Sequence, residues 1–282
     1  VNDKPKTLLD GLSVPEGPRW HDGRLWFSDL FAHCVRAVDL SGRAEMVAEL
    51  ADLPSGLGWT TENQLLVVSI IDRRVLRMER GKLRPFADLS GFSTGGCNDM
   101  VVDGAGRAWV GNIGYDYFGG AERKPGSIVR VSASGSCSPA ADGLEFPNGM
   151  VVTPDGGKLI VAETFGNRLT GFDIAADGAL TGRRVFARCD GVLPDGICLD
   201  ADGAVWVADP ATNRAMRILD GGEVVRTVTV AEGRYVYACA LGGADRRTLF
   251  MCTSSVRGAA SREAKQGRIE IAPVEVPGVG WP

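Results

Sequence analysis

Histidine is scarce in this chain of 282 residues: His21 and His33 are the only two. Gly91-Phe92-Ser93-Thr94-Gly95 fits a nucleophile-elbow pattern, but that device needs a strand before it, a helix after it and a histidine later in the chain. Both histidines come earlier, so Ser93 reads as part of a connecting loop. Paired cysteines are also missing. The seven cysteines are odd in number and show no C-x-x-C spacing, which argues for reduced core fillers over a disulfide framework or a zinc site. No uninterrupted apolar run is long enough to span a bilayer, and residues 1–12 lack the apolar centre of a signal peptide. The expectation is a cytoplasmic protein. Charge of one sign is not in excess either: 31 basic and 35 acidic residues are mixed along the chain for a net charge of −4, which argues against nucleic acid and anionic membrane as partners.

What the chain does have is repetition. Phe146-Pro147-Asn148-Gly149-Met150-Val151-Val152 can be laid over five other segments, which begin at Pro15, Pro54, Cys97, Pro194 and Val236. At the register of Asn148 the six copies carry Glu16, Ser55, Asn98, Asn148, Asp195 and Tyr237, separated by 39, 43, 50, 47 and 42 residues. Each copy continues with an apolar run, a turn such as His21-Asp22-Gly23-Arg24 or Pro154-Asp155-Gly156-Gly157, a second apolar run and then alternating strands. His21 falls in such a turn and reads as solvated. A period in the forties with four strands per repeat predicts an all-β fold, a six-bladed β-propeller of four-stranded antiparallel blades forming one domain over residues 1–282. The sixth blade runs out of chain after Val276, one strand short, while Thr7-Leu8-Leu9 has no blade of its own. The amino-terminal segment is therefore expected to close the ring as the missing outer strand, which removes two open sheet edges at once.

In an up-and-down blade the start of the first strand and the end of the second share one face, so the six anchors should converge at one mouth of the central channel. Glu16, Asn98, Asn148 and Asp195 would bring two carboxylates and two amide carbonyls to one place. Hard oxygen donors suit Ca²⁺, Mg²⁺, Mn²⁺ or Fe²⁺, and the absence of histidine and cysteine from the anchors weighs against zinc and copper. Asn-Gly and Asp-Gly are common hairpin turns. Here, however, the turn signals fall elsewhere in each repeat, and Glu16 and Asn98 share the register without being turn dipeptides. The loops that follow the second strands should ring the mouth; those at 112–123 and 253–265 are the longest and should wall it. They and the anchors present Tyr115, Tyr117, Phe118 and Tyr237 as candidate substrate contacts, with Asn98 beside them and His33 on the loop of the first blade.

The segments PEGPRW at Pro15–Trp20, CNDMVVD at Cys97–Asp103, FPNGMVVTPDG at Phe146–Gly156, VAET at Val161–Thr164 and PDGICLDADGAVWVAD at Pro194–Asp209 together resemble the family of senescence marker protein, gluconolactonase and luciferin-regenerating enzyme. The likeness covers nearly the whole chain. It implies a six-bladed propeller with one divalent cation in its channel, hydrolysing lactones and sometimes other esters. Calcium is the first choice of cation, with Mn²⁺, Mg²⁺, Fe²⁺ or Zn²⁺ as alternatives. By the same resemblance Glu16, Asn148 and Asp195 are direct metal ligands, Asn98 a fourth that is water-mediated or contacts substrate, and Asp195 the general base. Sugar lactonases of this family commonly carry an arginine two positions before the asparagine of the third repeat; Gly96 stands there in this chain. The expected function is thus a metal-dependent lactonase acting on a small-molecule lactone or ester, less hydroxylated than an aldonolactone or partly aromatic. A non-catalytic ligand- or protein-binding propeller, or another metal-dependent esterase or phosphotriesterase on the same scaffold, is the alternative.

Overall fold

The computed structural model describes residues 4–280. It contains six four-stranded antiparallel sheets arranged as the blades of a propeller. The innermost strands are Pro15–His21, Pro54–Trp59, Cys97–Val102, Pro147–Val152, Ile197–Leu199 and Tyr235–Gly242, and we number the blades in that order. The second strands are Arg24–Asp29, Leu65–Ser69, Ala108–Asn112, Lys158–Glu163, Val205–Asp209 and Thr248–Ser254. Nearly all of their residues are buried, because each lies inside its sheet with neighbouring blades packed on both faces. The core accordingly sits between blades, as where Leu66 and Val68 of blade two meet Met100, Val102 and Val110 of blade three.

The first two strands of blade one are joined by Asp22 and Gly23, at φ 47° and 74°, in the doubly left-handed conformation that a two-residue hairpin requires. His21 beside this turn departs from the solvated role expected of it. Its ring stacks on Trp59 with centroids 4.0 Å apart, and Nε2 lies 2.6 Å from Asn63 Oδ1, so it ties blade one to blade two.

The ring closes as the sequence pattern predicts. Lys6–Leu12 pairs antiparallel with Gly267–Pro273, placing Thr7 opposite Glu270 and Leu9 opposite Ile269. Leu8 and Leu9 pack against a cluster that includes Leu25, Phe27 and Phe250. One strand from the amino terminus thereby completes a blade built from the carboxyl end. Beyond Val276 the chain continues across the underside of blade five, where the Val279 N–H donates to Leu199 O at 3.0 Å and Pro277 O accepts from the Ala201 N–H at 2.9 Å. The long 253–265 loop carries one helical turn at Ser261–Ala264. Among the described residues no helix is long and apolar enough to cross a membrane.

Candidate functional site at the channel mouth

Every innermost strand departs from regular pairing at its anchor. Across the interval from Glu16 to Arg19 three residue steps face only two on the second strand, from Ser28 to Trp26. The same extra residue occurs between Pro54 and Leu57, Cys97 and Met100, Pro147 and Met150, and Val236 and Ala238. In blade five the strand begins only at Ile197, and Asp195 is instead held by its N–H on Ala208 O at 3.1 Å. A β-bulge breaks the period-two alternation and re-aims a side chain. It recurs at one register in five of the six blades.

The residue after each anchor explains its dipeptide chemistry. A Cβ on Gly149 would stand 2.6 Å from Asp195 O, one on Gly17 2.8 Å from Ser55 O, and one on Gly196 2.3 Å from the Ala238 Cβ. These glycines are therefore close approaches between blades, and none of them is a hairpin turn. The Gly149 N–H donates to Asp195 O and the Gly196 N–H to Tyr237 O, at 3.2 and 2.9 Å, stitching blades four, five and six together beside the mouth.

Asn148 and Asp195 are buried at their anchors, and Glu16 and Asn98 are half-buried at theirs. Asn148 is buried; its amide nitrogen donates to Thr164 Oγ1 at 3.2 Å, and that hydroxyl donates in turn to Pro194 O at 2.8 Å. The Asn98 amide nitrogen donates to Pro147 O at 3.3 Å, while its oxygen has only a 3.5 Å contact with Ser55 Oγ. Both amides are thus anchored through nitrogen, which leaves their oxygens available. The negative charge of Glu16 acts on Asp195. Burial pushes the Glu16 carboxyl up from 4.5 to about 8, with the negative charge of Asp99 as the next cause. Asp195 is raised well above the usual carboxylate range by burial and then by Glu16 and Asp99, against which its hydrogen bond to Asn148 works.

Asp99 was not among the residues expected from the sequence. It occupies the register that carries Gly17, Gly56, Gly149, Gly196 and Ala238 in the other blades, in space that the missing Cβ of Gly56 leaves open. Arg19 reaches across the channel to it, with Nη2 3.0 Å from Asp99 Oδ1, and both side chains are buried. A charged residue at a register otherwise glycine or alanine was the signal that could have found it. Three carboxylates thus share the channel with one buried guanidinium.

All four tyrosines of the chain lie at this mouth or on the strand that enters it. Tyr115 is buried, whereas Tyr117 and Phe118 are 47% and 41% exposed. They pack with Phe146 and Phe165 into an aromatic wall, with Tyr117 and Phe165 5.1 and 4.9 Å from the Phe146 ring. Phe146 holds φ at +63°, a strained conformation for a bulky residue, and directly precedes Pro147 and Asn148. Its packing against Tyr115 and Phe165 therefore also helps to set the Asn148 anchor. His33 sits on the loop after the second strand of blade one, where Nδ1 is 3.2 Å from Asp52 O, and none of the aromatic contacts of this group includes it. Other acids beside the mouth are structural. Glu163 is fully buried and binds Arg168, Thr170 and the Glu145 N–H, and Asp29 and Asp209 likewise clamp the loops at the ends of their strands.

Six four-stranded antiparallel sheets arranged in this order define a six-bladed β-propeller. Residues 14–255 match the SMP-30/Gluconolactonase/LRE-like region, and the chain belongs to this family. It is 29% identical over 191 residues to a 6-deoxy-6-sulfogluconolactonase of Pseudomonas putida, a match spanning 66% of this chain and 64% of that protein. It is 28% identical to the pentonolactonase XacC of Haloferax volcanii, over 86% of this chain and 82% of that one. The crystal structure of a calcium-binding protein, regucalcin, from Agrobacterium tumefaciens superposes with a TM-score of 0.82 at 24% identity, covering 99% of this chain and 96% of that one.

Proposed function

We propose that this protein is a divalent-cation-dependent lactonase, with Glu16, Asn98, Asn148 and Asp195 as its ligands and Asp195 as the general base. The observation that carries the proposal is that Glu16 and Asp195 are both raised by burial and by neighbouring carboxylates, while Arg19 is already engaged by Asp99 at 3.0 Å. Carboxylates so placed are unfavourable in their charged form until a positive charge joins them. The available amide oxygens of Asn98 and Asn148 complete a set of hard donors suited to calcium, manganese or magnesium. When bound, the cation supplies countercharge to the carboxylates and a Lewis-acid contact for the lactone carbonyl. The names of relatives that act on sulfogluconolactone and pentonolactone support a lactone as substrate, and a calcium-binding structural neighbour supports calcium.

In this reading Asp195 takes the proton of the water that attacks the carbonyl carbon. The ring C–O bond then breaks, and the proton passes to the departing alkoxide to leave the open hydroxy acid. The Asn148 amide and the Asp195 N–H on Ala208 O hold Asp195 in place, while Thr164 fixes Asn148. Tyr117 and Phe118 offer an apolar wall to the substrate and keep water from it.

The test is hydrolysis of a lactone panel by cation-stripped protein reconstituted with Ca²⁺, Mn²⁺, Mg²⁺, Fe²⁺ or Zn²⁺. Turnover should be absent after stripping and return with at least one cation. Ring opening that proceeds unchanged in excess chelator refutes the cation requirement, and no turnover with any cation refutes the lactonase.

A further inference from the structure

Two of the seven cysteines stand in contact. Cys198, on the innermost strand of blade five, directs its thiol at the sulfur of Cys239, on the innermost strand of blade six, with the sulfurs 3.8 Å apart. The Cys239 thiol in turn donates to Trp206 O at 3.4 Å and Gly196 O at 3.5 Å. The two strands touch just before the pair: the Gly196 N–H donates to Tyr237 O at 2.9 Å, and a Cβ on Gly196 would stand 2.6 Å from the Ala238 Cα. Close strands with their sulfurs in contact are what a disulfide needs. The pair also has an entrance. A cavity at the ends of the innermost strands farthest from the anchors is lined by Arg19, Trp20, Cys198, Leu241, Arg246 and Val279. Cys198 is half-buried there, whereas Cys239 is 1% exposed. Among the described residues no other two cysteines make such a contact.

We propose that Cys198 and Cys239 are a redox-modification site, which a peroxide converts to a reversible disulfide that braces blade five against blade six. The Cys198 sulfur attacks hydrogen peroxide that enters the cavity; the O–O bond breaks, the sulfur becomes a sulfenic acid, and the thiol proton leaves with the other oxygen as water. The Cys239 sulfur then displaces the sulfenic hydroxyl, which departs with the Cys239 proton as a second water. Two thiols are oxidised, one peroxide is reduced, and a thiol reductant reverses the product. Burial, and then the hydrogen bond to Cys239, hold the Cys198 thiol well above the usual thiol range, so the first step is slow at neutral pH. Selectivity over the other cysteines lies in the second step, because here a sulfenic acid meets a thiol already in contact with it. The bond joins positions 41 apart and closes a loop that contains most of blade five. It needs neither cation nor lactone, so the inference stands apart from the lactonase reading.

The test treats the folded chain with hydrogen peroxide, then unfolds it in an alkylating reagent and maps its peptides by mass spectrometry. Two of the seven thiols should be lost to alkylation, the map should show Cys198 joined to Cys239, and dithiothreitol should restore both thiols. In Cys239→Ser the reaction should stop at a Cys198 sulfenic acid, which dimedone traps. Oxidation should raise the melting temperature of the parent by roughly 5 °C, as a cross-link closing a loop of this length does, and leave that of Cys239→Ser where it was. Seven free thiols after treatment, or a disulfide that joins any other cysteines, overturns the site. That readout needs only the parent protein, so a variant that fails to fold does not weaken it. A mapped bond between Cys198 and Cys239 with no change in melting temperature overturns the brace.

Discussion

Raising the pH of the cation-free protein from about 5 to about 9 should lower its melting temperature, and added calcium should remove the loss. Glu16 is pushed up from 4.5 to about 8 in the fold, chiefly by burial and then by Asp99. A carboxyl raised on folding holds its proton more tightly in the native state than in the unfolded chain. Its contribution to stability is therefore complete below about 4.5 and is lost as pH rises through about 8. At about 1.4 kcal/mol per pH unit the loss from this one group is on the order of a few kcal/mol, and Asp195, raised in the same direction, adds to it. For a chain of this size each kcal/mol moves the melting temperature by roughly 2 °C, so a fall of several degrees is expected. A bound cation reverses the argument, because it favours the ionised carboxylates. The assay is differential scanning calorimetry across this range with chelator or with calcium. Glu16→Gln, which cannot ionise, should flatten the chelated profile. A cation-free melting temperature that is constant with pH and superposes on that of Glu16→Gln would refute the reasoning.

Asp195→Asn should lower turnover of the best lactone by ~10²-fold or more while calorimetry still detects cation binding; a near-parental rate with cation bound refutes Asp195 as the base. Gly149→Ala would set a methyl 2.6 Å from Asp195 O and should cost about 1–3 kcal/mol in denaturant titration, as overpacking does; an unchanged midpoint would show that the blades part at no cost. Removing residues 1–12 takes the outer strand from blade six and exposes an edge. The truncated protein should therefore melt many degrees lower, and a melt within a degree or two of the parent would refute the closure as a source of stability. Arg19→Met should destabilise by about 3–5 kcal/mol through the unpaired Asp99 carboxylate, and adding Asp99→Asn should recover much of that; no recovery would mean that Arg19 acts through packing alone.

Much of this protein was legible in its sequence because a propeller is one phrase repeated. The spacing of the six anchors, the turn residues and the short apolar runs each follow from local backbone preferences, and the unpaired strand at either end of the chain implied the closure at Thr7–Leu9. The oxygen-bearing residues Glu16, Asn98, Asn148 and Asp195 were found by register alone. The tertiary structure decided what register cannot express. The bulges at the anchors are hydrogen-bond slips against a neighbouring strand, and no local propensity marks them. Gly149 and Gly196 look like turn glycines in the sequence, but the next blade passing within a Cβ's reach is the reason for them. His21 looked solvated until Trp59, 38 residues later, was packed beneath its ring. The Arg19–Asp99 pair joins residues 80 positions apart on blades one and three, and only the tertiary structure brings those charges within reach of one another.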